Sequence, residues 1–311
     1  MDHEFESEGK KQMLLNKMVE RAQAENGSIR SIFDKKCLRS DIGHLMDYAT
    51  VEQRLLKARK RSRPPLPASV EELDEAVRTS RYATLNGSPF YRESITASNG
   101  QTAAIFISEE AAQRLQTAER IHFDGTFKTC PGLFYQNFVV FFEFFGTVFP
   151  GCYALMTGKS QELYTLVFTY LRDYFLLYPT SIMSDWEAGS RNTAKIIWPS
   201  SSVKGCFFHF TQAAQRKLKK LRLGHFLANA QAKKVISRIL CLPLLPPTLI
   251  EPTFGQIRER NTFNILTPWM QYVERNWIMQ VRADELSVHE QMHRTNKYAE
   301  STFAYSKTED A

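Results

Sequence analysis

Cysteine is scarce in this chain. The five present (Cys37, Cys130, Cys152, Cys206 and Cys241) are odd in number and widely scattered, which argues against a disulfide framework and for a reducing compartment. Long hydrophobic runs are lacking too. The longest apolar region, residues 138–149, is broken by Glu143 and Gly146 and is too short to span a bilayer. The first residues, MDHEFESEGKK, are charged and have no apolar core, so they do not read as a signal peptide. A soluble, intracellular protein with no membrane partner is expected. Internal repeats and low-complexity segments are missing as well. Aromatic residues are few in the first 80 positions and crowd between residues 123 and 178, so the main core is expected in the second two-thirds.

What is present in excess is positive charge. The formal net charge is +7 and the pI about 9.1. Such a balance favours a polyanionic partner, because Lys and Arg that neutralise phosphates release counterions. An ordinary basic surface fits the same number, so charge alone decides nothing. Two local runs are more specific. Lys57-Ala-Arg59-Lys60-Arg61-Ser-Arg63 leads into Pro64-Pro-Leu-Pro67 and reads as a linker. Its cations suit a nuclear localisation signal or a phosphate-binding arm; a solvated helix end is the plainer alternative. The second run holds Arg216, Lys217, Lys219, Lys220 and Arg222. On a helix it turns Leu218 and Leu221 inward and the cations outward, as a solvated face or a DNA-backbone contact.

The order of elements points to an α/β fold. Residues 1 to about 60 read as polar helices with weak apolar stripes at Met13, Leu14, Leu15 and Met18 and at Ile42, Leu45 and Met46. Ala103–Ile107 is a short apolar run, and Ser108 caps a helix that opens on two Glu. Strands are expected at Ile121–Asp124, Phe138–Phe145 and Gly151–Thr157, with Pro150-Gly151 marking the hairpin bend. Ser160 caps a helix whose apolar positions run from Leu163 to Tyr174. Strands at Ser181–Asp185 and Val203–Phe207 then alternate with helices at Ala188–Trp198 and up to Leu221. A meander followed by alternating helices and strands implies a mixed sheet with helices on its faces. Trp186, Trp198, Tyr170 and the Phe cluster read as core.

Two acids stand in unusual places. Asp124 follows Ile121-His-Phe123, and Asp185 follows Ser181-Ile-Met-Ser184. A carboxylate closing an apolar strand is costly to bury unless paired or coordinated. One alone is commonly a helix N-cap; two at the ends of successive strands suggest a metal site at the sheet's edge.

These segments carry a family resemblance. Phe123-Asp-Gly-Thr-Phe-Lys128, Ser184-Asp-Trp-Glu-Ala188 and Gly205-Cys-Phe-Phe-His-Phe-Thr-Gln-Ala213 resemble the catalytic core of Mutator-like-element (MULE) transposases. The resemblance spans roughly residues 115 to 305. Each motif alone is common; the set in order is specific. It implies a ribonuclease-H-like mixed sheet with flanking helices, interrupted by an all-helical insertion; ahead of it the polar helices of the first residues read as a mostly helical extension. It implies that Asp124 and Asp185 are the first two acids of a catalytic triad and that Cys206 and His209 form the Cys-x-x-His motif near them. The third acid is then Glu300, in Arg294-Thr-Asn-Lys-Tyr-Ala-Glu300, where Lys297 departs from the usual Asn.

The expected domains are an extension and basic linker (1–100), the first part of the core (101–224), a helical insertion (225–290) and a closing catalytic helix (291–311). Three carboxylates around one point can hold two Mg²⁺ (or Mn²⁺) ions through oxygen. Zinc is not expected, since Cys206 and His209 have no second close pair to complete four ligands. Ahead of Asp124, His3, Cys37, His44 and His122 are too scattered for a zinc module that reads bases, so such a reader is expected to be lost. Double-stranded DNA is the implied partner, a homo-oligomer on DNA is compatible with it, and no small-molecule substrate is called for. A transposase in the nucleus is the first reading; a non-catalytic DNA-binding protein or transposon remnant that keeps the fold is the alternative.

Overall fold

Apolar residues at helical spacing build the first of the two units into which the chain divides, ending at Ala76. The computed structural model describes residues 2–25, 27–62, 67–127 and 130–295. Helices α1 (Asp2–Ala24), α2 (Ile29–Cys37) and α3 (Tyr48–Ser62) bury Leu14, Met18, Ala22, Ile32, Phe33, Val51 and Leu55 in a core of their own. Arg59 is part of this packing and is only 5% exposed. Its guanidinium donates to the carbonyls of Ala22, Glu25 and Gly27 at 3.0, 3.1 and 2.7 Å. These oxygens lie where α1 ends and its carbonyls run out of helical partners. Arg59, expected among the DNA-contacting cations, is thus placed inside the fold, with its Nε and Nη2 donating to backbone carbonyls. Lys60 and Arg61 remain exposed, and Arg63 lies outside the described residues. Arg59→Ala is expected to destabilise the first unit by about 2–3 kcal/mol, since buried carbonyls lose charged donors. Urea unfolding of this unit tests it, and a change below about 0.5 kcal/mol would contradict it.

Helix α4 (Val70–Arg78) follows, and the second unit begins at Val77. It is a mixed α/β fold. A small hairpin of β1 (Thr84–Leu85) and β2 (Ser88–Pro89) precedes the main sheet of β3 (Tyr91–Thr96), β4 (Thr102–Phe106), β5 (Arg120–Thr126), β6 (Gln136–Phe144), β7 (Thr147–Met156), β8 (Ser181–Ser184) and β9 (Ser202–Gly205). Its order is β3-β4-β7-β6-β5-β8-β9. Strands β5, β6 and β7 form an antiparallel meander, whereas β8 and β9 run parallel to β5. The boundary expected at residue 101 falls inside the β3–β4 hairpin, so this unit starts earlier than the sequence suggested.

Helices α5 (Glu109–Leu115), α6 (Gln161–Tyr174) and α7 (Ala188–Ile197) share one core with Ile121, Phe123, Phe138 and Val140 of the sheet. The caps are as expected: Ser108 Oγ accepts from Ala111 N–H and Ser160 Oγ from Leu163 N–H. The hairpin bend is not. Phe144 pairs with Thr147, so the turn is Phe145-Gly146, both with positive φ (48° and 72°). That is the two-residue geometry that matches strand twist and that Gly favours. Pro150-Gly151 instead forms a bulge, where the register slips between Val140 and Phe141. Pro150 lies beyond the reach of β4, which pairs with Tyr153–Met156, so no neighbouring strand on that side needs its missing N–H.

After α8 (Phe207–Lys220) the chain is helical: α9 (Ala230–Leu240), α10 (Pro247–Glu259), α11 (Thr267–Val273), a π-helical stretch at Glu274–Met279 and α12 (Ala283–Leu286). The proline-rich stretch between Pro243 and Pro252 contains the start of α10. Pro247 occupies the first helical turn, where its N–H is not needed, and Pro252 lies within the helix. Phe210, Ala214 and Leu218 of α8 pack with Ile236, Phe254, Trp269 and Trp277 in a second core. Among the described residues, no helix is long and apolar enough to cross a membrane.

Candidate active site

Strand pairing brings the two strand-end acids together. In the parallel β5–β8 pair, Phe123 is the register partner of Ser184, so Asp124 is the next residue on β5 and Asp185 the residue just past β8. Phe123 is fully buried, with its ring 5.5 Å from Phe138 and 5.3 Å from Phe168. Alternation along the strand then puts His122 and Asp124 on the opposite face. Asp124 and Asp185 are both half-buried. A Cβ at Gly125, beside Asp124, would sit 2.6 Å from the Gln136 side-chain oxygen, so a larger residue there would displace the Gln136 amide.

Asp185 is held by its own turn. Its Oδ1 accepts the Glu187 N–H at 3.2 Å. Burial pushes the Asp185 carboxyl above the usual carboxylate range, an effect partly offset by that donor and by the charges of His209, Arg191 and Lys159. Ser184 Oγ accepts from Arg191 at 3.0 Å, and Arg191 also reaches the Lys204 carbonyl at 3.1 Å and Glu285 at 2.6 Å. Arg191 and Glu285 side chains are 6% and 13% exposed, so this ion pair ties α12 to α7 out of water.

The second and third motifs interlock through Trp186. Its indole N–H donates to the Cys206 carbonyl at 3.2 Å. A Cβ on Gly205 would come within 2.0 Å of the indole ring, so glycine is the only residue that lets Trp186 lie across β9. The ring also meets Arg191 at 4.7 Å and Trp277 edge-on at 5.0 Å. Cys206 is fully buried and is the N-cap of α8, and its N–H donates to the Ser184 carbonyl at 2.7 Å. His209, one turn along α8, is close enough to Asp185 to act on its charge.

Glu187 is a functional candidate that the sequence reading missed. It occupies the N-cap of α7 but makes no side-chain cap bond, because its carboxylate takes the Tyr164 hydroxyl at 2.6 Å. Tyr164 in turn accepts from the buried Gln136 amide at 2.8 Å. Burial raises the Glu187 pKa, Tyr164 counteracts this, and Asp185 adds to it. The only signal in the sequence was a second acid two positions after Asp185.

Glu300 lies outside the described residues, which end at Thr295; the stretch just before that end packs on the core. The Arg294 carbonyl accepts the Phe207 N–H at 3.0 Å, next to Cys206. His293 Nε2 is 3.1 Å from the Gly146 carbonyl, and Glu143, 3.9 Å from His293, also meets Arg120 at 3.3 Å. Beneath lies His122, 4% exposed, with its ring 5.9 Å from His293. Burial first, then His293 and Arg120, pull the His122 pKa from 6.5 to about 4. The unfolded chain therefore binds the proton more readily. His122 contributes stability that is whole above about pH 6.5 and is lost as the pH falls toward 4, about 3 kcal/mol at most. The urea midpoint is expected to drop between pH 7 and 4.5, and less so in His122→Phe; equal drops in both proteins would refute this.

Among the described residues, no three or more His, Cys, Asp or Glu side chains are gathered to hold a metal. Asp124 and Asp185 offer oxygen donors of the kind hard divalent cations take; further ligands must come from elsewhere, and Glu300 is the candidate outside the described residues. In the basic run of α8, Arg216, Lys219, Lys220 and Arg222 are exposed, whereas Lys217 is half-buried with its Nζ 5.1 Å from the Tyr272 ring centre.

These features define an α/β protein with one acid near the carboxyl end of β5 and another just past the carboxyl end of the adjacent parallel strand β8. Residues 120–213 match the family model of the MULE transposase domain, which bears out the resemblance carried by the motifs. The match begins with β5, ends within α8 and contains Asp124, Asp185, Cys206 and His209. No curated protein matches the chain.

Proposed function

We propose that this chain is a transposase-type enzyme that cuts and joins DNA phosphodiesters at Asp124, Asp185 and Glu300, with two Mg²⁺ or Mn²⁺ ions. The observation that carries the reading is the Phe123–Ser184 register, which sets two acids side by side within the stretch matching the MULE domain. The meander β5–β7, followed by two helix-linked strands parallel to β5, supports a ribonuclease-H-like core. Bound ions would activate a water and stabilise the leaving 3′ oxygen. The chain's own part is to orient and screen. The Glu187 N–H fixes the Asp185 carboxylate, and Trp186 with Arg191 braces the turn that carries it. His209 and Lys159 offset negative charge at the site.

DNA is the implied substrate. The exposed cations Arg216, Lys219 and Lys220 lie in the last turns of the helix capped by Cys206, and Arg222 lies just beyond its end. At 1.5 Å per residue they lie about 20 Å along it, which is some six base pairs at 3.4 Å each. They would hold the backbone about half a turn from the cut, positioning without reading sequence. Changing Arg216, Lys219 and Lys220 to Ala is expected to weaken duplex binding on every sequence alike and to flatten the log Kd against log salt slope by about 2–3. Loss confined to one sequence would contradict this. A nuclear site of action and assembly as a homo-oligomer on DNA belong to the same proposal.

The second reading, a non-catalytic DNA-binding protein, is favoured by Lys297 where the resemblance calls for Asn. Incubation with supercoiled DNA separates the two. The first expects nicks with 3′-hydroxyl ends in Mg²⁺ or Mn²⁺ and none in EDTA; intact binding without nicking in either metal would leave only the second.

A further inference from the structure

We infer that Phe127, Tyr135 and Lys159 form a binding site for an unpaired nucleotide of single-stranded DNA beside the acid pair. This rests on the reading of the site as one that acts on DNA, and it names the form of the strand bound there. Phe127 and Tyr135 are 53% and 47% exposed, although their rings meet edge-to-face at 5.2 Å and 77°. Two large aromatic rings that touch each other and still show half their surface to water offer a free π-face.

The platform is held on a defined backbone. Tyr135 N–H donates to the Met156 carbonyl at 2.8 Å, and Thr126, the residue before Phe127, pairs with Asn137 across the β5–β6 ladder. Lys159 is exposed, and its ammonium lies 5.8 Å from the Tyr135 ring centre. The same Lys159 acts electrostatically on both Asp185 and Glu187, so the cation bridges the aromatic pair and the acids. Phe127 is three residues past Asp124, about 10 Å of extended chain. That span suits one or two nucleotides between a phosphate at the acids and a base on the rings.

Aromatic rings bind bases by stacking, which every base permits and which needs no hydrogen-bond readout. A base inside a duplex already has both faces stacked, so the occupant is an unpaired one, at a frayed end or a nick. Lys159 adds the phosphate contact that such grooves combine with stacking.

The test is fluorescence anisotropy with a 12-nucleotide oligo-dT and a 12-base-pair duplex, in EDTA so that no chemistry intrudes. Phe127→Ala and Tyr135→Ala are each expected to weaken oligo-dT binding by about 5- to 100-fold, with duplex binding unchanged within twofold. Phe127→Tyr and Tyr135→Phe should bind like the original protein. Lys159→Gln should lower the single-strand salt slope by about 0.7, as for one phosphate contact. Thermal unfolding confirms that each variant is folded. Folded alanine variants that bind oligo-dT normally would overturn the inference, as would equal losses on single strand and duplex, or tighter binding of the same oligomer as RNA. A protein that passes this test but never cuts DNA keeps the site and loses the nuclease reading; one that cuts but fails here does the reverse.

Discussion

Asp185→Asn is expected to slow metal-dependent DNA nicking by about a thousandfold or more, with no loss of thermal stability. Asn preserves the shape and still lets an oxygen accept the Glu187 N–H, so the turn stays intact. What disappears is the charge that would bind and balance divalent cations at the reacting phosphate. Losing a single hydrogen-bond donor to a transition state costs about 10²–10³ in rate, and a metal ligand should matter at least as much. Stability should hold or rise at neutral pH, because burial already disfavours the charged form of Asp185 in the folded protein. Asp124→Asn should match it in rate, since the register that pairs Phe123 with Ser184 sets the two acids next to each other along adjacent chain segments. A variant of either residue that nicks within tenfold of the original would remove it from the chemistry.

The second large effect is expected at Gly205. Its alanine variant puts a Cβ where the Trp186 ring now lies, 2.0–2.5 Å from three ring carbons. The indole must leave, taking with it the bond to the Cys206 carbonyl and the contacts to Arg191 and Trp277. Overpacking and a lost buried hydrogen bond together amount to about 3 kcal/mol. If the ring is the cause, the cost is not additive: in the Trp186→Leu background, Gly205→Ala should cost at least about 1 kcal/mol less. Urea denaturation of the four proteins of this cycle measures it. Simple additivity would mean that Gly205 matters for some reason other than Trp186.

Features set by neighbours in the chain were legible in the sequence. The Ser108 and Ser160 caps, the β5, β8 and β9 strands and the buried stripe of α6 follow from local pattern, and the structure has them. Features set by distant partners were not. Arg59 looked like one cation of a solvated run because its three acceptors lie more than 30 residues away. Pro150-Gly151 looked like a turn because a bulge is defined by the opposite strand, whereas the real bend put a Phe before Gly146 at positive φ, an uncommon choice. Strand β3 was overlooked because an edge strand such as Tyr91-Arg-Glu-Ser-Ile-Thr96 alternates weakly and carries charge. At the site, the acids stood out, but only strand register sets Asp124 beside Asp185. Glu187 was hidden in plain view, since an acid opening a helix ordinarily needs no explanation.

The most direct test of the account is Mn²⁺ binding followed by electron paramagnetic resonance, with the original protein and with Asp124→Asn, Asp185→Asn and Glu300→Gln. The account predicts that the original protein takes up Mn²⁺ and that each substitution alone weakens uptake at the same site by tenfold or more. Uptake that depends on Asp185 but is untouched by Asp124→Asn would contradict it, because the two acids would then not share a metal site.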